Sequence, residues 1–185
     1  MANVCHRWVN GNGGTVANSV AFKSPHSLAF DATANRVVVA DRNNNQVRFL
    51  NADTGALIGG WPPSVFAYPD CSLPSVWSVR TDPVTGLIFV ATSNFGSGAN
   101  CTLPSGTVKR ASILVIRPPP SGETIAPANV TDVIAVENGF PHEICVSRGA
   151  GAVYAAAVDS ADLPPNTGIG AVTRYVASTT PASFK

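Results

Sequence analysis

The chain has 185 residues, of which 45% are hydrophobic and only 12% charged, with a formal net charge of +1. That length buries a sizeable core as one domain, and a near-neutral charge without basic or acidic runs argues against nucleic-acid or anionic-membrane partners. No apolar run approaches the roughly 20 residues of a membrane-spanning helix, and abundant Gly and Pro fit many short strands joined by turns.

The chain opens with Arg7-Trp8-Val9 and then Gly11-Asn12-Gly13-Gly14, which reads as the last strand of a preceding unit and its turn, so residues 1–19 are expected to be a remnant. The first full unit is SPHSLAFDATANRVVVADRNNNQVRFL, Ser24 to Leu50. In it Leu28 and Phe30 alternate with polar neighbours, Val37-Val38-Val39 is a β-branched run, and Val47 and Phe49 alternate again. The polar run from Asp41 to Asn45 supplies caps and tolerates left-handed backbone. A second unit runs from Pro74 (PSVWSVRTDPVTGLIFVATSNF, then Ala111–Arg117), and a third from Pro141 (PHEICVSRGAGAVYAAAV, then Gly170–Val176).

Each unit gives an alternating strand, a turn, a small and β-branched strand, then an outer strand after a loop of variable length. Ser93–Lys109 and Asp159–Ile169 are the insertions, and loop length costs little. Self-similarity at a period of roughly 50 residues with three or four strands per unit indicates an all-β fold, a β-propeller. A β-sandwich would not repeat this order. The blades fall at approximately 20–60, 72–120 and 138–178 of a single partial propeller domain, 1–185. A closed propeller takes about four to eight blades, so the chain is expected to be a fragment.

Of the four cysteines, Cys71 and Cys101 lie in similar turn contexts and are expected to form a disulfide bond, whereas Cys145, within Ile144-Cys145-Val146, reads as a buried free thiol. Asn100-Cys101-Thr102 and Asn129-Val130-Thr131 match the N-glycosylation pattern. Together these suggest a secreted glycoprotein of the secretory pathway or extracellular space. Met1–Arg7 has no apolar signal core, which the fragment reading accommodates. Arg36, Arg48, Arg80 and Arg148 read as solvated, Trp8, Trp61 and Trp77 as packing between sheets, and Gly55, Gly86 and Gly151 as positive-φ turn residues. No Ser-His-Asp order, phosphate loop or CxxC pair is present.

The histidines are His6, His26 and His142. His26 and His142 both follow proline at the start of a blade's first strand, while the middle blade has Pro74-Ser75-Val76-Trp77 there. Inner strands of a propeller line the channel, so equivalent positions converge, and proline restrains the backbone that presents each imidazole. Imidazole suits zinc; it equally serves as a cap for strand-end backbone groups.

PHSLAF with VADRNNNQVRFLNADTG, followed by FPHEICVS, resembles peptidyl-α-hydroxyglycine α-amidating lyase, the second catalytic domain of peptidylglycine α-amidating monooxygenase and a six-bladed propeller of NHL-like repeats. The resemblance covers roughly residues 20–177. It implies about three of six NHL-like blades, and a metal-binding site in which His26 and His142 are two of three zinc ligands. It also implies that Arg42, in the Ala40-Asp41-Arg42 turn, is catalytic and holds the substrate carboxylate. Glu143 stands where the family has an Asp that ligates a structural calcium, and Val4, before Cys5, where the family has its catalytic Tyr; His6 would share the face of Val4. The implied activity is that of a zinc-dependent lyase in peptide amidation, a peptidylamidoglycolate lyase cleaving peptidyl-α-hydroxyglycine to peptide amide and glyoxylate. Its partners would be a peptide substrate ending in α-hydroxyglycine and the rest of the propeller or a monooxygenase domain, and the fragment would be incomplete as a catalyst. The alternative is a non-catalytic NHL-type propeller that binds a protein or ligand.

Overall fold

A computed structural model describes residues 22–61, 75–93, 102–103, 106–107, 111–118, 129–136, 140–149, 151–158 and 171–176. The 1–19 remnant, Val4, His6, Cys5 and the expected Cys71–Cys101 bridge lie outside the described residues.

The first unit folds as four consecutive antiparallel strands: β1 (Pro25–Asp31), β2 (Arg36–Asp41), β3 (Gln46–Asn51) and β4 (Leu57–Trp61). The polar run between β2 and β3 forms a single 3-10 turn, Arg42–Asn44, closed by Asn45 in left-handed geometry at φ 51°, which asparagine tolerates better than most residues. The second unit has β5 (Ser75–Thr81) and β6 (Ile88–Ser93), then a short pair, β7 (Thr102–Leu103) with β8 (Gly106–Thr107). Its sheet is completed by β9 (Ala111–Ile116) and β10 (Val130–Ala135), in the order β5-β6-β9-β10. β10 lies beyond the stretch 72–120 and gives this unit a fourth strand. The third unit contributes β11 (Phe140–Val146), β12 (Ala152–Val158) and β13 (Ala171–Val176) in consecutive order.

The fold is thus all-β, three successive propeller blades whose sheets pack face to face, with β5 flanked by β1 on one side and β11 on the other. One apolar joint lies between the first and second blades, where Val38, Val47, Phe49 and Trp61 meet Val79, Val90 and Leu114. The other lies between the second and third, where Phe89, Ile113 and Ile134 meet Ile144, Val153 and Ala155. Because the middle blade is covered on both faces, every residue of β6 and β9 is buried, and its strands read as continuous apolar runs rather than alternating ones. The outer faces of the terminal blades leave Leu28, Phe30 and Ile58, and Tyr154, Val172 and Val176, exposed.

Strand alternation explains one correction. Ile144 turns into the joint, so its neighbour Cys145 turns the other way and is an exposed free thiol, not a buried one. Arg36 and Arg48 are not solvated: both are buried, in ion pairs with Asp31 (2.8 Å) and Asp41 (2.5 Å). Arg36 is the cross-strand register partner of Asp31, and Arg48 reaches Asp41 from β3. Trp61 packs in the first joint, edge-on to Phe49 at 4.8 Å. Gly55 and Gly86 have positive φ as expected, but in the third blade's turn it is Gly149 (φ 82°) and not Gly151.

Candidate functional site

The three inner strands share one irregularity. The pairing register of β1 slips between Pro25 and Ser27, that of β5 between Val76 and Ser78, and that of β11 between Pro141 and Glu143. In each blade one residue is left out of the ladder: His26, Trp77 and His142. A bulge of this kind re-aims the side chain it carries, and here three bulges at equivalent positions send three rings to one place. The His26 and His142 ring centres are 4.7 Å apart, and each is 5.2 Å from the Trp77 ring.

His26 Nδ1 lies 3.0 Å from the carbonyl oxygen of Trp77. A carbonyl only accepts, so Nδ1 carries the proton and donates it, leaving Nε2 as the basic nitrogen. A bond of this type from the other ring nitrogen fixes tautomer and ring orientation in ligating histidines. Two imidazoles on one tetrahedral zinc, with bonds of about 2.0–2.1 Å, hold their ring centres about 5 Å apart. The observed separation and the free Nε2 of His26 therefore fit a shared metal ion. Among the described residues no third His, Cys, Asp or Glu joins them.

Arg42 comes to the same place from the 3-10 turn, its guanidinium carbon 3.8 Å from the Trp77 ring centre. Unlike Arg36, Arg48 and Arg80, it has no ion pair among the described residues, so its donors stay available to a ligand. The turn that presents it is built on Asp41, whose carboxylate accepts from the Lys23 backbone N–H (2.7 Å), Asn44 Nδ2 (2.7 Å) and Arg48 Nε (2.5 Å).

Glu143 sits next to His142 but serves another layer of the channel. Residues Ser27, Ser78 and Glu143 follow the three bulges, and they bond across the blades: Ser78 Oγ donates to Glu143 Oε1 at 2.6 Å and lies 3.3 Å from Ser27 Oγ. Arg80 ties the layer together, donating to Ser27 Oγ at 2.9 Å and pairing with Glu143 Oε1. Arg80 is thus another arginine with a structural partner. The Glu143 carboxylate, which the resemblance implied as a calcium ligand, pairs with the Arg80 guanidinium, and no group of three His, Cys, Asp or Glu includes it among the described residues.

The structure brings His26, His142 and Arg42 together and turns Glu143 to a neighbouring layer. Sequence reasoning passed over Trp77, which occupies the bulge equivalent to the histidines and touches all three of the other groups. The signal was its position: Trp77 stands three residues after Pro74, in the blade where the Pro-His element is missing.

At the opposite end of the blades, Asp82 clasps turns of two units. Burial by itself raises its carboxyl, but bonds from the Thr85 hydroxyl and the backbone N–H groups of Gly149, Val84 and Thr85 bring it below the ordinary carboxylate value.

Residues 22–48 match the family model described as NHL repeat. The chain is similar to NHL repeat-containing protein 3 of Mus musculus, 31% identical over 151 residues that make up 82% of this chain and 37% of that protein. The same protein of Homo sapiens is 29% identical over 151 residues, with the same coverage of 82% and 37%. The chain therefore spans little more than a third of the length of these curated relatives. Among solved structures, a putative 6-phosphogluconolactonase from Bacteroides uniformis superposes with a TM-score of 0.56 at 13% identity, over 91% of this chain and 40% of that one. A luciferin-regenerating enzyme gives 0.51 at 12% identity, over 81% of this chain and 44% of its own. At such identities the likeness is one of fold.

Proposed function

We propose that this NHL-repeat propeller carries part of a zinc site for a carbon–nitrogen lyase that cleaves peptidyl-α-hydroxyglycine into a peptide amide and glyoxylate. The observation that supports it is the convergence of His26 and His142, from separate blades, with ring centres 4.7 Å apart beside Arg42, which has no ion pair among the described residues. In the reaction the C–N bond of the α-hydroxyglycine breaks, the hydroxyl loses its proton, and the amide nitrogen gains one, with no water consumed.

His26 and His142 would hold the zinc, which when bound supplies Lewis acidity toward the hydroxyl and carboxylate oxygens. Arg42 would orient the substrate: a planar, always-charged guanidinium grips a carboxylate bidentately, and the Trp77 ring holds it in place beneath the histidines. Arg80 and Glu143 would close the floor of the site as a neutral pair. A third ligand and a base would have to come from outside the described residues. Placement in the secretory pathway, where peptide amides are exported, follows from this reading.

The competing reading is a non-catalytic NHL-type propeller that binds a protein or ligand. Zinc content and turnover separate the two. In a protein carrying the whole ring, His26→Ala and His142→Ala each abolish binding of about one zinc, whereas Arg42→Ala lowers turnover of α-hydroxyglycyl peptides and leaves zinc in place. Unchanged zinc in both histidine variants, measured by elemental analysis, would sink the assignment.

A further inference from the structure

We propose that Trp77 is the positioning residue of this site, setting both the histidine that faces the metal and the arginine that faces the substrate. The proposal rests on the zinc reading above, and it assigns a role to the one bulged residue that is not a ligand. Trp77 is 6% exposed, which leaves it almost no surface for a ligand, so it acts through its neighbours.

Five contacts define the role. Its carbonyl takes the Nδ1 proton of His26 at 3.0 Å. Its ring lies edge-on to His26 and tilted at 46° to His142, both at 5.2 Å. Its ring also carries the Arg42 guanidinium at 3.8 Å, within the range of a cation–π contact. Finally, its Nε1–H donates to Ser93 Oγ at 2.5 Å, which anchors the indole to the end of β6. Register places Ser93, in the second blade, where the first blade has Arg42: Asp41 pairs with Pro25, Thr92 with Val76, and the next residue follows each. The middle blade has therefore exchanged both groups at once. A histidine position holds an indole, and an arginine position holds the hydroxyl that fixes that indole. Its ring belongs to the apolar cluster between the second and third blades, while its place in the bulge leaves its carbonyl outside the register with β6. The bulge frees that carbonyl to bond His26 across the blades.

The test uses the protein carrying the whole ring, zinc ions and NMR at one neutral pH. In zinc-free protein with 15N-labelled histidine, His26 is expected to show its proton on Nδ1, and the Arg42 side-chain protons to show the upfield shift of a cation over an indole. Trp77→Leu keeps the backbone carbonyl and removes the ring contacts: the His26 ring signals move, the Arg42 shift disappears, and zinc affinity falls 10–100-fold, as for other residues that orient ligating histidines. Trp77→Phe restores a ring and recovers most of the His26 signature. Should Trp77→Leu fail to fold by circular dichroism, Ser93→Ala carries the test, because it frees the indole and must shift the same His26 and Arg42 resonances. Wild-type His26 protonated on Nε2, or a folded Trp77→Leu with wild-type resonances and zinc affinity, overturns the proposal. If the resonances respond to Trp77 and no variant, wild type included, binds zinc, the positioning role stands and the zinc reading fails.

Discussion

Asp41→Ala is the perturbation that most directly separates the scaffold of Arg42 from its chemistry. The Asp41 carboxylate is fully buried and accepts three bonds, from the Lys23 N–H, the Asn44 amide and Arg48 Nε. Truncating it leaves Arg48, itself 4% exposed, as a buried cation without its partner. Breaking one side of a buried pair costs about 3–5 kcal/mol, and for a chain of this size each kcal/mol moves the midpoint of thermal unfolding by about 2–4 °C. A loss near 4 kcal/mol therefore lowers the melting temperature by roughly 8–16 °C. Arg48→Met alone should cost somewhat less, because two N–H donors still serve the carboxylate. The double variant Asp41→Ala with Arg48→Met should be no worse than Asp41→Ala, since the orphaned charge is gone and the two residues are coupled. Urea denaturation of the four proteins measures the cycle. A single-variant loss under about 1 kcal/mol, or strictly additive losses, would refute the claim that this pair holds the turn.

Gly60→Ala would bring a Cβ to 2.6 Å from the Val47 carbonyl oxygen and 3.2 Å from Arg48 Cα, both backbone atoms of β3. Relief requires the β3–β4 pairing to open, at about 1–3 kcal/mol, and hydrogen exchange should report it as lost protection in β4. The Asp82 carboxyl sits below its ordinary value of 3.8 in the folded chain, so its stabilising effect is fully present above about pH 5 and is lost as pH falls through the folded value. Asp82→Asn should accordingly cost about 1.5–3 kcal/mol at pH 7 and approach wild type in acid. A urea midpoint difference that is constant from pH 7 to pH 3 would show that the charge has no part in the clasp.

Much of the blade pattern was legible because its causes are local. Alternation in Leu28–Phe30, the β-branched run Val37–Val39 and the Asp41–Asn45 polar run each specify strand, strand and turn with no help from the rest of the chain, and Asn45 does adopt the left-handed conformation. The two Pro-His dipeptides are equally local, and their recurrence at one repeat position was enough to bring His26 and His142 forward as a pair. Fates that depend on a partner were not legible. Whether Arg36 and Arg48 meet solvent or a carboxylate depends on cross-strand register, and whether Cys145 is inside depends on which face of β11 the second blade covers.

The sequence by itself determined the strands, their turns and the repeat, and put His26 and His142 at one repeat position, because period and turn chemistry are properties of neighbours along the chain. Only the tertiary structure decided what those residues touch. Three bulges, each a single residue out of register, gather His26, Trp77 and His142 at one point and aim Glu143 at Arg80 instead. A bulge is a mismatch between two strands, and packing then settles which blades stand side by side. Neither is written in any one stretch of residues, which is why the sequence shows Trp77 as packing between sheets, as it is, and not its contacts with His26, His142 and Arg42.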